Sequence, residues 1–318
     1  MTGTLVWFFS HYWFLTTANT PELPINPYIS VLIDRTMKKI LIPAIVMLLA
    51  VSCSTSDPAK EEWVALFNGR DLEGWTVKTA KHPVGDNYNN TVRVEEGLLK
   101  MVYDDYENFD GEFTHLFYSE KFSYYKLVIE YRFMGEQVTG GPSWATRNSG
   151  VMIHGQTPES MDINQSFPVS IEVQFLGGLG AGERPTSNLC TPGTNVEING
   201  ALHTQHCLNS TSKTYDGDVW VMTETIVHGN EQIWHIVEGD TVLTYQRPQL
   251  DPNDSQFGQM LEHYGSQMIS EGTISFQGES GPVQFRTVKL LNLKGCMDPK
   301  AKNYKSYYIS EDNSKCEY

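Results

Sequence analysis

Several common signatures are missing from this 318-residue chain. No block of lysine and arginine occurs and the formal charge is −15, so sequence-independent attraction to nucleic acid or to anionic lipid is not expected. No apolar run reaches the roughly 20 residues with which a helix crosses a bilayer. No long stretch repeats its apolar residues with the 3.6 period of an amphipathic helix. The five cysteines include no C-x-x-C pair, which leaves a structural zinc site little support. What remains is 40% hydrophobic and 12% aromatic, enough apolar material for a sizeable core.

The first interpretable segment starts at Met37. Lys38 and Lys39 give a short cationic stretch, and residues 40–51 are about a dozen mostly apolar positions, the length of a signal-peptide core. They end in Leu49-Ala50-Val51-Ser52-Cys53, which resembles a bacterial lipobox with Cys53 as the lipidated first residue of the mature protein. Ser54 follows, without an aspartate, which resembles the outer-membrane-sorted form of that signal. The expectation is a cell-envelope lipoprotein, periplasmic or surface facing, anchored through Cys53. Residues 1–36 read as an upstream extension, 37–52 as the signal peptide and 53–62 as a polar tether.

Lipidation of Cys53 leaves an even four cysteines. In an oxidising compartment the local pairs Cys190–Cys207 and Cys296–Cys316 are expected. The second pair bounds a Lys-, Ser- and Tyr-rich tail unit, residues 295–318.

Between tether and tail, short β-branched and aromatic runs alternate with turn clusters over residues 63–294. In 126–133, Leu127, Ile129, Tyr131 and Phe133 share one face while Glu130 and Arg132 share the other. Further strands are predicted at 113–119, 149–155, 169–176, 218–228, 231–238, 241–246, 272–278 and 283–291. The fold class is all-β, a two-sheet jelly-roll, concanavalin-like sandwich.

Two strand pairs concentrate chemistry. In one, Val151 and Ile153 alternate with Met152 and His154, and Ile171, Val173 and Phe175 alternate with Glu172 and Gln174. Turning the apolar residues inward groups His154, Glu172 and Gln174 on one polar face. In the other, read as a hairpin, Ile274 and Phe276 alternate with Ser275, Gln277 and Glu279, and after the Ser280-Gly281-Pro282 turn Val283 and Phe285 alternate with Gln284 and Arg286. Polar outer faces are ordinary in one-sided sheets and mostly meet solvent. Trp144, in a turn-rich loop, is a platform for a sugar face; Trp220 and Trp234 are expected in the core.

The segment from Trp63 to Trp75 resembles the opening of the 3-keto-disaccharide hydrolase family. So do Asn148 through His154, Ile171 through Gln174, Gly272 through Gln277 and Val283 through Arg286, in the family's order and over nearly the whole mature domain. Residues 188–193 and 206–210 resemble a subgroup with an additional disulfide-clamped loop. Many members carry arginine where His154 stands, which puts a substrate contact there in doubt. The resemblance implies a concanavalin-like jelly roll that binds sugar on its concave sheet and acts on glycosides oxidised at C3. It implies Glu172, His154 and His206 as acid–base candidates, and Gln174, Gln277, Glu279, Arg286, Trp144 and Lys213 as substrate contacts. A divalent cation, calcium or zinc, is compatible with His154 and Glu172. The competing readings are a carbohydrate-binding module without turnover and a partner-binding lipoprotein whose polar faces are only solvated.

Overall fold

In the computed structural model the described residues are 57–318. The upstream extension, the signal peptide and Cys53 lie outside them. The alternating pattern does fold as strands, in the order β1 (Val64–Ala65), β2 (Trp75–Thr79), β3 (Val92–Glu95), β4 (Leu98–Met101), β5 (Thr114–Phe122), β6 (Tyr124–Phe133), β7 (Asn148–Gly155), β8 (Ile171–Leu176), β9 (Asn188–Cys190), β10 (Thr194–Ile198), β11 (Ala201–His203), β12 (Cys207–Leu208), β13 (Val221–His228), β14 (Gln232–Val237) and β15 (Asp240–Leu250). Helix α1 (Phe257–Tyr264) follows, then β16 (Gly272–Gly278) and β17 (Val283–Asn292).

These strands form two antiparallel sheets. One has seven strands in the order β12-β9-β8-β7-β16-β5-β2. The other has ten: β11-β10-β15-β14-β13-β6-β17-β4-β3, with β1 added alongside β17. The chain passes repeatedly from one sheet to the other, which makes the fold a jelly-roll sandwich and closes the core on both faces.

Side-chain parity decides what enters the core. Leu116, Val151, Val173, Phe175 and Phe276 come from the seven-stranded sheet, and Leu127, Ile129, Tyr131 and Phe285 from the ten-stranded one. Across the interface Tyr131 stacks on Phe175 with centroids 4.3 Å apart, and Phe276 meets Phe285 at 4.4 Å. Burying each such side chain contributes about 1.5–3 kcal/mol. Trp220 and Trp234 depart from expectation. Trp234 shares outward parity with Gln232 and Ile236, and the Trp220 ring lies between the guanidinium groups of Arg132 and Arg286, 4.7 and 4.6 Å from its centroid.

Both local disulfides form, Cys190–Cys207 and Cys296–Cys316. The tail packs onto the start of the described chain: the Ser306 N–H donates to the Pro58 carbonyl at 2.9 Å, and Lys305 pairs with Glu62. Its own short strands, β18 (Lys294–Gly295) and β19 (Ser310–Glu311), run parallel.

Candidate active site

The seven-stranded sheet turns its second face away from the core, yet β7 and β16 are buried along their whole length. Something must cover that face, and two loops do. Residues 156–170, between β7 and β8, cross one half of it. Lys78 donates to the carbonyls of Thr79 and Ile163 at 2.9 and 3.2 Å, and His115 Nε2 bonds the Ser166 carbonyl at 2.9 Å. Burial pushes the Lys78 ammonium pKa down and that of His115 down to about 4, so the imidazole is neutral and donates. Residues 134–147, between β6 and β7, border the other side and carry Trp144.

Register then sets the floor. Lys78, His115, Gln277, Gly150, Gln174 and Asn188 stand opposite one another across β2, β5, β16, β7, β8 and β9. Glycine at the centre of this polar row makes room. A Cβ on Gly150 would come within 2.7 Å of Glu172 Oε1 and 3.0 Å of Gln277 Oε1. Two residues along the strand from the row, and so on the same face, Glu172 stands opposite Cys190, and Cys190 opposite its disulfide partner Cys207.

Above this floor is a cavity of about 380 Å³ lined by Asn148, Glu172, Gln174 and Glu279 below, by Cys190, Pro192, His206 and Cys207 at one edge, and by Trp144 and Phe167 at the other. That volume suits a small ligand.

The floor is rich in acceptors with nothing to accept. Glu172 Oε1, Glu279 Oε2, Gln277 Oε1 and Asn148 Oδ1 are buried without a hydrogen-bond partner among the described residues. Gln277 Nε2 donates to the other Glu279 oxygen. Asn188 Nδ2 donates to Gln174 Oε1 at 3.1 Å, which leaves the Gln174 amide hydrogens for a ligand. Burial raises the pKa of Glu172. Burial and the neighbouring Glu172 charge raise that of Glu279 further, against the Gln277 hydrogen bond and the Arg184 charge, which lower it. Arg184 offers little relief, because its guanidinium is held by the carbonyls of Thr146 at 2.6 Å, Arg147 at 3.1 Å and Gly177. Both carboxyls are thus held above the ordinary carboxylate range, and each one's titration depends on the charge of the other.

Several expected site residues lie elsewhere. Alternation groups His154 with Glu172, but β7 carries a bulge: Gly155 pairs with Thr273 and Met152 with Ser275, so Ile153 and His154 together oppose one residue. His154 sits there at φ 51° and its Nε2 bonds the Gly229 carbonyl, 2.9 Å away in the β13–β14 turn of the other sheet. Tyr264 of α1 caps the bulge by donating to the His154 carbonyl at 2.9 Å. A shared His154–Glu172 cation site is therefore not assembled, and among the described residues no three His, Cys, Asp or Glu side chains gather around a metal-sized space.

Arg286 is also displaced. Ser280-Gly281-Pro282 is a crossover rather than a hairpin turn, since β16 belongs to one sheet and β17 to the other. Gln277 and Glu279 face the cavity, whereas Arg286 pairs with Glu130 at 2.6 Å on the outside of the ten-stranded sheet. Lys213 is exposed, with its ammonium 4.9 Å from the Tyr215 ring centroid, away from the cavity lining. His206 is at the cavity edge, exposed, with its carbonyl bonded by the Thr191 N–H. Trp144 is at the rim, stacked on Phe113 with centroids 5.8 Å apart. Sequence reasoning did not find Asn148, His115, Lys78, Phe113 or Phe167 as parts of this face. The Asn148-Ser149-Gly150 stretch held a usable signal, because a glycine inside a strand marks a close approach.

Residues 62–291 match the family described as the 3-keto-alpha-glucoside-1,2-lyase-like domain. The chain belongs to that family. It is a jelly-roll domain of a carbohydrate-active family, and the expectation drawn from its sequence blocks holds at that level. No curated protein matches it. Among solved structures it resembles a candidate glycosyl hydrolase from Parabacteroides distasonis ATCC 8503, at 16% identity and a TM-score of 0.44, covering 73% of this chain and 100% of that one. It also resembles a β-glucanase from Bacillus licheniformis (13%, 0.41, 74% and 100%) and the carbohydrate-binding module CBM66 from Bacillus subtilis (13%, 0.38, 68% and 94%). Similarity this distant bears on neither substrate nor mechanism.

Proposed function

We propose that the domain cleaves the glycosidic bond of 3-keto-glycosides, including 3-keto-disaccharides, by elimination followed by hydration. The observation that carries this reading is the buried Glu172–Glu279 pair, two neighbouring carboxyls with raised pKa values beneath a sugar-sized cavity. A ketone at C3 acidifies the C2–H bond. Glu172, as carboxylate, takes that proton, and the bonding pair becomes an enolate. The C1–O bond then breaks as Glu279 gives its proton to the departing oxygen. Water adds across the resulting C1–C2 double bond, with its hydroxyl to C1 and its proton to C2, which yields the free 3-keto sugar. Base and acid must be in opposite protonation states at one pH, and a coupled pair supplies that state. The Gln174 amide hydrogens supply the uncharged donor that a sugar hydroxyl or the enolate oxygen needs.

The test is incubation of the purified protein with a 3-keto-disaccharide and with its unoxidised parent. Release of monosaccharide from the keto form alone supports the reading. Binding of both without release supports a carbohydrate-binding module instead, and cleavage of the unoxidised parent removes the elimination chemistry.

The proposal extends to location, as an exported lipoprotein of the outer membrane anchored through Cys53. Two disulfides support an oxidising compartment. Metabolic labelling with a radioactive fatty acid should mark the protein and not its Cys53→Ala variant.

A further inference from the structure

We infer that Ser280 and Gln137 are positioning residues: a hydrogen-bonded latch between loop 134–147 and the backbone beside Glu279 sets the direction of that carboxyl. The inference rests on the elimination reading and deepens it, by naming what holds its acid in place.

The two carboxyls are not held by the same means. Glu172 lies inside β8, paired with Met152 of β7 on one side and with Cys190 of β9 on the other. Two ladders fix its backbone, so its side chain leaves the sheet in a set direction. Glu279 has no such support. The β16 ladders end at Gly278, opposite Ser149 of β7 and Thr114 of β5, and Glu279 opens the crossover to β17. Its side chain is nevertheless buried on the cavity floor.

The residue that follows it is strained. Ser280 is fully buried with φ at 79°, in the left-handed region that a residue with a Cβ seldom occupies. Glycine takes this conformation without cost. Serine adds a hydroxyl, and the hydroxyl is used. Gln137 Nε2 donates to Ser280 Oγ at 2.8 Å and to the Pro142 carbonyl at 2.9 Å, while the Thr146 hydroxyl donates to Gln137 Oε1 at 2.8 Å. The Val138 N–H donates to the Ser280 carbonyl at 3.0 Å, so the loop grips Ser280 by side chain and backbone together. Gly141 makes room for the contact. A Cβ there would lie 2.6 Å from both Gln137 Nε2 and Ser280 Oγ, and its own φ is not left-handed, so space rather than conformation calls for glycine. A strained position persists only where its surroundings over-determine it. Here the surroundings are the loop that borders the cavity. Neither Gln137 nor Ser280 lines that cavity, so both act through Glu279 rather than on the substrate.

The experiment compares Ser280→Gly, Ser280→Ala and Gln137→Ala with the wild-type protein on methyl and para-nitrophenyl 3-keto-glucosides. Departing methoxide needs a proton from the acid, whereas nitrophenolate is stable without one. All three variants should lose about tenfold or more in kcat for the methyl compound. They should lose little for the nitrophenyl compound, with KM nearly unchanged for both. Ser280→Gly should melt higher than Ser280→Ala, because both lose the hydroxyl and only glycine relieves the strain, yet the two should be similarly slow. Activity that tracks the melting temperature, or equal losses on the two compounds, overturns the latch while leaving elimination standing. Wild-type turnover of neither compound sinks the elimination reading. The latch is then judged by carbon NMR of the side-chain carboxyls, with Glu279→Gln giving the assignment. Glu279 should titrate closer to the ordinary carboxylate range in Ser280→Gly and Gln137→Ala than in the wild-type protein, and an unchanged titration overturns the latch too.

Discussion

Glu172 and Glu279 are only 6% and 2% exposed, and their chemistry and their cost have the same origin. A carboxyl whose folded pKa is raised binds its proton more tightly in the native state, so folding stability falls as pH rises above the ordinary carboxylate value of 4.5. Glu172→Gln should accordingly abolish turnover, by about 100-fold or more, while leaving the melting temperature equal or higher, with the gain larger at pH 8 than at pH 5. Retained turnover would remove Glu172 from the base role, and a large drop in melting temperature at pH 8 would contradict the raised pKa. Gly150 makes a complementary case. A methyl group there meets the ends of two site side chains rather than backbone, so Gly150→Ala should cost far more activity than stability. Kinetics and thermal melts on the same preparation would separate the two effects.

The residue scale also shows where sequence patterning ends. Period-two alternation places Glu172 and Gln174 correctly, because β8 is regular from Ile171 to Leu176. It misplaces His154, because a single extra residue at the bulge breaks the parity, and no local signal in Ile153-His154-Gly155 announces it. It misplaces Arg286 for a different reason. Alternation within a strand is blind to which sheet the strand joins, and Ser280-Gly281-Pro282 reads as a turn whether the chain returns or crosses over.

At the scale of elements, the disulfides divide the molecule's tasks. Cys190–Cys207 ties an edge strand that lines the cavity, while Cys296–Cys316 closes the tail away from it. With sequence separations of 17 and 20 residues, each contributes about 3 kcal/mol in the chain-entropy account. Replacing both members of the first pair by serine should lower the melting temperature and raise KM, because the cavity edge loosens. The same change in the second pair should lower the melting temperature and leave KM where it was. Matching KM values in both double variants would show that the edge strand does not shape the site. The nine strands of six residues or more were readable because β-branched and aromatic runs are interrupted by turn residues. The shorter strands β1 to β4 and β9 to β12 and helix α1 were not, being too short to show a period.

For the molecule as a whole, three histidines are enclosed and held neutral by their surroundings. His115, His154 and His235 have pKa values lowered to about 4 by burial. An unfolded chain binds protons at these sites from about pH 6.5 downward while the native state does not, so their contribution is complete above that value and is lost as pH falls toward 4. The carboxyl pair acts in the other direction above 4.5. Stability should therefore peak near pH 6.5 and decline on both sides, a profile that melts across pH 4 to 9 would display. A curve still rising at pH 8 would contradict the raised carboxyl values. The sandwich as a class was legible from composition and alternation. The covering of its second face was not, since loops 134–147 and 156–170 carry no periodic signal and are positioned by tertiary contacts.

The loop held down by Lys78 and His115 has a consequence for what can be processed. Open-faced sandwiches let a linear glycan lie across every strand and be cut mid-chain. Here β5 and β2 are covered at His115 and Lys78 by the 156–170 loop, which leaves β16, β7, β8 and β9 as the working floor. On the elimination reading, a bond in a short conjugate should therefore be cleaved faster than the same bond inside a long chain, which kinetics on a chain-length series would check.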